Sequence, residues 1–91
     1  MTKLETLKIK ITDEIQNFID RATPIFEAME TIEEVEKGVD QLVKANEGGR
    51  NAILKSSITT DAEKDELILF FDMQFSEVYN LAANQKIMLK A

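Results

Sequence analysis

Three carboxylates at alternate positions, Asp61, Glu63 and Asp65, are the side chains of this sequence best spaced for chemistry. The same spacing opens a calcium-binding loop, in which oxygen ligands at every second position surround the ion. That loop needs glycine at its sixth position for a sharp turn, and Glu66 stands there instead. Thr60 and Glu63 also have the spacing of a helix capping box. We therefore assign these carboxylates to the start of a helix and predict no metal site.

The residue types that the chain lacks exclude most of the common catalytic and metal-binding sites. The chain contains no histidine and no cysteine, so it lacks the imidazole or thiol of the common acid-base, nucleophilic and zinc sites. Gly48 and Gly49 are typical of a phosphate-binding loop, but no Gly-Lys-Ser/Thr follows them and no strand precedes them. Spacing forces no pair of lysines or carboxylates together. We predict a protein with no enzymatic activity and no cofactor.

A long apolar repeat predicts the elements that carry these residues. Large apolar side chains recur at heptad spacing between residues 4 and 42, and only a helical period returns them to one face. We predict an all-α fold, either a long helical hairpin or a three- to four-helix bundle. A chain of this length encloses a small core, so we expect self-association to complete the bundle. The stripe predicted to associate consists of Leu4, Leu7, Ile11, Phe18, Ile25, Ile32, Val35, Val39 and Leu42.

Threonine and proline define the predicted boundaries of the first half. Thr2, with Glu5 three residues later, predicts a helix from about residue 3. Pro24 predicts either a kink in one continuous helix or a turn at 23–24 after a helix that ends near residue 22. The heptad phase continues through the proline, which favours the kinked helix. Thr31 and Glu34 repeat the capping-box spacing, so a restart at Thr31 is a third alternative.

The second half is predicted from its glycines and its dense apolar content. We predict helix over about 25–46, a glycine turn at 47–49, a short helix or loop over 50–60, and helix over about 61–89. The last helix carries two adjacent apolar stripes, and Leu69 and Met73 fall outside both. We expect such a helix to lie at the centre of a bundle or at a subunit interface.

Charge is distributed unevenly along this single predicted domain. The net charge is -6, and residues 24–49 hold seven acidic but only two basic side chains. This acidity argues against direct binding of nucleic acid. A solvated helix face explains most such clusters. The more specific hypothesis is an acidic face for a basic protein partner, formed by Glu27, Glu30, Glu33, Glu34, Glu36, Asp40 and Glu47.

Two functions therefore remain open at the level of the sequence. The first is a non-enzymatic interaction protein that self-associates, and the alternative is an acidic inhibitor or immunity-type protein that docks on a basic site. The longest apolar run is the five residues 67–71, and no basic, apolar leader opens the chain. With the lack of cysteine, this predicts a cytoplasmic protein that does not contact membranes.

Overall fold

The computed structural model describes all 91 residues and contains helices without strands. The helices are α1 (Lys3–Glu27), α2 (Ile32–Leu54), α3 (Asp61–Phe75) and α4 (Tyr79–Lys90). The predicted all-α fold class and helical bundle are confirmed.

Three threonines begin the first three helices, as their spacing predicts. The hydroxyl oxygens of Thr2, Thr31 and Thr60 accept hydrogen bonds from backbone N–H groups three residues later, at 3.1, 3.1 and 3.2 Å. A complete capping box forms only at α3, where the Thr60 N–H donates to Glu63 Oε1 at 2.8 Å. These bonds satisfy donors that the first turn of a helix leaves without partners.

The chain reverses after Glu27 rather than at the proline. Pro24 lies inside α1, one turn before its end. The predicted turn at 23–24 and the alternative of one helix continuing to residue 46 are both wrong. A proline this close to the end costs little, because the carbonyl that loses its N–H partner belongs to exposed Asp20, where water has access. The third alternative is correct, since α2 begins directly after Thr31.

The predicted turn at 47–49 is also wrong, because α2 continues through both glycines to Leu54. No residue has a positive φ, so neither glycine supplies the left-handed conformation that ends a helix. Gly49 instead allows a close approach: a Cβ atom there would collide with the ring of Phe71. The absence of a side chain at Gly49 therefore allows close helix packing and does not mark a turn of the chain. Only residues 55–60 form the connection to α3, so half of the predicted 50–60 segment belongs to α2.

The predicted helix over 61–89 is present with one interruption at 76–78. The backbone stays helical there, with φ and ψ of -57° and -29° at Ser76 and -63° and -38° at Val78. Hydrogen bonds tighten from four residues to three, as in Val78 N–H to the Phe75 carbonyl at 2.9 Å. We call α3 and α4 together the α3–α4 arm.

The α3–α4 arm lies between α1 and α2, which make few contacts with each other. Lys3 pairs with Glu63 at 3.1 Å, and the ring of Phe18 lies 5.9 Å from that of Phe75, so α1 runs parallel to the arm. The start of α2 lies at the far end of the arm, where Gln85 donates to the Met29 carbonyl at 2.8 Å, whereas Gly49 near the end of α2 approaches Phe71. Helix α2 is therefore antiparallel to both, and the molecule is a slab of 46 × 22 × 16 Å. Of the two positions expected for the last helix, the structure has the central one, and a place at a subunit interface stays a prediction. The main core cluster consists of Ile15, Ala22, Phe26, Val35, Leu42, Phe71, Phe75, Val78 and Ala82.

Candidate interaction surfaces

The stripe predicted for self-association divides between the interior and the surface of one copy. Val35 and Leu42 are fully buried, and Ile11, Phe18 and Val39 pack against the same core. The α3–α4 arm covers these side chains. Self-association through the rest of the stripe stays a prediction, and the residues left for it are half-buried Leu4, Leu7 and Ile32 and the 61% exposed Ile25.

A different apolar stripe is uncovered on the outward face of the α3–α4 arm. Its residues are spaced by three and four alternately, as in a coiled-coil seam, and every one is exposed. Leu69, Met73 and Ile87 are 72%, 61% and 66% exposed. We call this set the outer stripe: Glu66, Leu69, Met73, Ser76, Asn80, Ala83, Ile87 and Lys90.

The outer stripe stays aligned across the interruption at 76–78. On the opposite face of the arm, Phe75, Val78 and Ala82 are buried in succession and keep the same spacing of three and four. Because one face keeps its phase, the face opposite keeps it as well. The exposed side chains therefore form one continuous line along α3 and α4. The sequence signal that could have revealed it is Leu69 and Met73 lying outside both buried stripes, in register with Ile87.

Charge changes sign along the α3–α4 arm. Residues 61–77 contain six acidic side chains and one lysine, whereas residues 78–91 contain two lysines and no acidic side chain. Glu66 Oε1 lies 3.0 Å from Lys8 Nζ, and its side chain remains about half exposed. Lys90 is exposed and forms no ion pair within the chain. The two ends of the outer stripe thus carry opposite charges, unpaired at Lys90 and already paired with Lys8 at Glu66.

The seven carboxylates of the predicted acidic face are all exposed. Glu33, Glu36, Asp40 and Glu47 lie on one side of α2, since their spacing of three, four and seven is helical. This side is opposite the buried Leu42. The structure therefore brings four of the predicted residues together along the solvent face of one helix.

The other three acidic residues surround the turn between α1 and α2. Glu27 ends α1 and Glu30 lies in the connection. Glu34 serves the start of α2, since its Oε2 accepts the Glu30 N–H at 3.3 Å. Within the cluster, the only ion pair joins Glu33 to Lys37 at 3.6 Å, and both side chains are largely exposed. Such a pair contributes little, so the negative charge stays available to solvent or to a partner.

Glu63 is held at the start of α3 by two cationic or polar donors. The Thr60 backbone N–H donates to its carboxylate at 2.8 Å, and the Lys3 ammonium lies 3.1 Å away. These donors lower the pKa of Glu63 below its ordinary value, the Thr60 hydrogen bond having the largest effect. Lys3 also donates to the Ile58 carbonyl at 2.6 Å. The contacts of Lys3 with Glu63 and with the Ile58 carbonyl connect the first turn of α1 to the start of α3, which is a structural role.

Tyr79 carries the other shifted titratable group. Burial raises the pKa of its phenol, and the negative charges of Asp72 and Glu47 raise it further. Its ring packs edge-on against Phe75, with ring centres 5.5 Å apart. The phenol is thus kept neutral at the end of an aromatic cluster. Because the neighbouring carboxylates disfavour the phenolate, they do not turn this tyrosine into a general base.

Two clefts lie beside the arm, and neither gathers reactive groups. One of about 460 Å³ separates α1 from α4, and Glu27 is the only charged residue in its wall. An apolar cleft of about 120 Å³ opens between α1 and α2 over the rings of Phe71 and Phe75. No group of three or more acidic side chains is arranged to hold a metal ion, and Asp61, Glu63 and Asp65 do not converge.

No helix has the combined length and apolar character that crossing a membrane requires. Comparison with protein-family models, with curated proteins and with solved structures found no match to this chain.

Proposed function

We propose that this chain is a non-enzymatic, cytoplasmic interaction protein that binds a second copy of itself. The observation that carries the proposal is the exposure of Leu69, Met73 and Ile87 in one line on the central helical arm. Removing apolar surface from water stabilises association by roughly 25 cal/mol per Å². The cysteine-free composition fits a reducing compartment.

The small interior of one copy supports the same proposal. Only ten of the 91 residues are buried, because three helical layers in a thin slab enclose little volume. Small domains bury a low fraction of their chain surface and gain stability when a second copy covers what remains. Association would therefore extend the core on the side of the arm that α1 and α2 leave open.

Sedimentation equilibrium over the micromolar range tests the proposal. We expect the average mass to rise with concentration from the 10.3 kDa of one copy towards twice that value. Apolar association tolerates salt, so the mass should change little when the salt concentration is raised. A single-copy mass throughout this range, combined with a cooperative thermal transition, would overturn self-association.

The alternative function is an acidic inhibitor or immunity-type protein that docks on a basic site of another protein. The observation that favours it is the line of carboxylates at Glu33, Glu36, Asp40 and Glu47 on the solvent face of α2. Grouped charges steer association with a surface of opposite sign. This surface does not overlap the outer stripe, so the two functions are separable by substitution.

Salt dependence and a matched variant distinguish the alternative. Charge-steered capture should weaken as the Debye length falls from about 10 Å at 0.1 M salt to about 3 Å at 1 M. A double variant, Glu36→Gln with Asp40→Asn, should lose a captured partner, while Leu69→Gln should retain it. Capture that survives both high salt and the double variant would contradict the docking role of the acidic face.

A further inference from the structure

We propose that the outer stripe is the surface on which a second copy packs, with the two α3–α4 arms antiparallel. In this arrangement α3 of one copy lies along α4 of the other. The inference rests on the proposed self-association and assigns its surface and direction. It places the contact on the arm rather than on the stripe between residues 4 and 42, most of which the arm already covers.

The outer stripe is symmetric about Val78. Leu69 and Ile87 lie nine residues on either side of it, and Met73 and Ala83 lie five residues on either side. A two-fold axis that crosses the outer stripe at the level of Val78 therefore brings Leu69 onto Ile87 of the second copy and Met73 onto Ala83 of the second copy. Apolar side chains therefore meet apolar side chains at these four positions of the outer stripe.

The polar members of the stripe obey the same symmetry. Ser76 and Asn80 lie two residues on either side of Val78, so they meet near the axis as a hydroxyl and an amide able to hydrogen-bond. A polar pair at a seam position fixes the register of packed helices. Glu66 and Lys90 lie twelve residues on either side of Val78, and each pairs with the opposite charge on the second copy.

Charge selects the antiparallel direction over the parallel one. Parallel arms would place Glu66 beside Glu66 and Lys90 beside Lys90, in addition to stacking the acidic segment 61–77 on itself. Antiparallel arms place that segment on the basic segment 78–91 of the second copy. Like charges facing each other oppose association, whereas complementary charges favour it and set its orientation.

The size of the surface predicts a reversible complex. From residue 66 to residue 90 the helical rise is about 36 Å, and a helix offers a face roughly 10 Å wide, which gives roughly 360 Å² from each copy. Specific interfaces usually bury about 800 Å² per partner, so this contact lies at the small end. We expect a dissociation constant in the micromolar range.

Substitution of the apolar members tests the location. Leu69→Gln with Met73→Gln should raise the dissociation constant more than about tenfold, because two apolar side chains leave the contact. A matched control is Ile9→Gln with Ile25→Gln, which changes two exposed apolar residues of α1 and should leave the constant unchanged. Equal helical circular dichroism in both variants shows that each retains its fold.

Cysteine cross-linking tests the direction, since the natural chain has no cysteine. In the antiparallel arrangement, Glu66→Cys and Lys90→Cys should form a disulfide when the two variants are mixed. Neither variant alone should cross-link, because identical positions lie about 36 Å apart along the axis. Cross-linking of each variant with itself would overturn the antiparallel direction.

The outcomes separate this inference from the proposed function. A wild-type protein that associates, while the Leu69→Gln, Met73→Gln variant associates equally well, overturns the assigned surface and leaves self-association standing. Loss of association in the Ile9→Gln, Ile25→Gln control would move the interface to α1 and also overturn the inference. A wild-type protein that stays a single copy at every micromolar concentration overturns both.

Discussion

The two faces of the α3–α4 arm carry similar side chains in opposite surroundings. On the inner face, Phe71, Phe75 and Val78 are buried between α1 and α2, whereas Leu69 and Met73 on the outer face are mostly in contact with water. Both faces repeat with the helical spacing of three and four. Periodicity therefore indicates that a face is suited to being covered, and only the positions of the other helices decide what covers it.

The largest expected effect separates the two faces directly. Phe75→Ala should lower the free energy of unfolding by about 3–5 kcal/mol, because it removes a ring from a cluster with Phe18, Phe71 and Tyr79. Met73→Ala, measured at a concentration where the chain is a single copy, should change it by less than about 0.5 kcal/mol. Urea denaturation followed by circular dichroism measures both. Equal losses would show that the outer face is covered within one copy.

The adjacent glycines of α2 sharpen the comparison between covered and open surface. Gly49→Ala should destabilise the fold by about 1–3 kcal/mol, since its Cβ atom meets the packed ring of Phe71. Gly48→Ala should stabilise it by about 0.5–1 kcal/mol, because the new Cβ atom would meet nothing within 4 Å beyond the adjacent backbone of α2, and alanine favours helix. Thermal unfolding of the two variants gives the comparison. Stabilisation by both would mean that Phe71 does not approach the α2 backbone.

These glycines also show where prediction from the sequence stops. Thr2, Thr31 and Thr60 begin helices as their spacing predicts, because capping depends on residues only three positions apart. The role of Gly49 depends on Phe71, and no local pattern reveals that contact. A glycine pair after an apolar repeat is typical of a turn, so the prediction at 47–49 followed local rules that tertiary packing overrode.

The acidic face and the stripe for self-association were predicted with different success, because only the second depends on how the helices pack. The carboxylates around Glu36 are exposed as expected, since charge alone keeps them in water. Val35 and Leu42 were predicted to face a second copy, yet the structure buries them within the first. Periodicity identified them as covered residues without identifying the α3–α4 arm as their cover. The outer stripe was visible only as Leu69 and Met73 lying outside the two apolar stripes.

Loss of the α3 cap should have an intermediate effect. Thr60→Ala removes the hydroxyl that accepts the Glu63 N–H, and we expect a loss of about 1 kcal/mol in the free energy of unfolding. Thr12→Ala is the matched control, because its hydroxyl only donates to the Lys8 carbonyl within α1. Chemical denaturation should show little change for the control. Equal effects would argue that the cap does not determine where the arm begins.

The smallest effect concerns Tyr79 at the junction between the two halves of the arm. It is the only tyrosine and the chain has no tryptophan, so near-ultraviolet absorbance reports its ionisation alone. We expect a folded-state pKa above the unfolded value of about 10, because burial and nearby Asp72 disfavour the phenolate. Its contribution to stability is complete below pH 10 and is lost as the pH rises through the folded-state pKa.

Substitution of one neighbouring acid checks the electrostatic part of that shift. Asp72→Asn should bring the pKa of Tyr79 closer to its ordinary value, whereas Asp65→Asn, on the same helix, should leave it unchanged. A folded protein whose tyrosine titrates at the unfolded value would contradict the placement of its ring against Phe75.

The central claim is that the outer face of the arm receives a second copy, and the methionine methyl groups report on it most directly. The chain has four methionines, so a selectively methyl-labelled sample gives a sparse NMR spectrum in which Met73→Leu assigns one signal. Met73 lies in the outer stripe, whereas half-buried Met29 packs near Gly38 within one copy. We predict that the Met73 methyl signal shifts as the concentration rises through the micromolar range while the Met29 signal stays constant. A Met73 signal that remains constant while the mass of the protein doubles would contradict the claim.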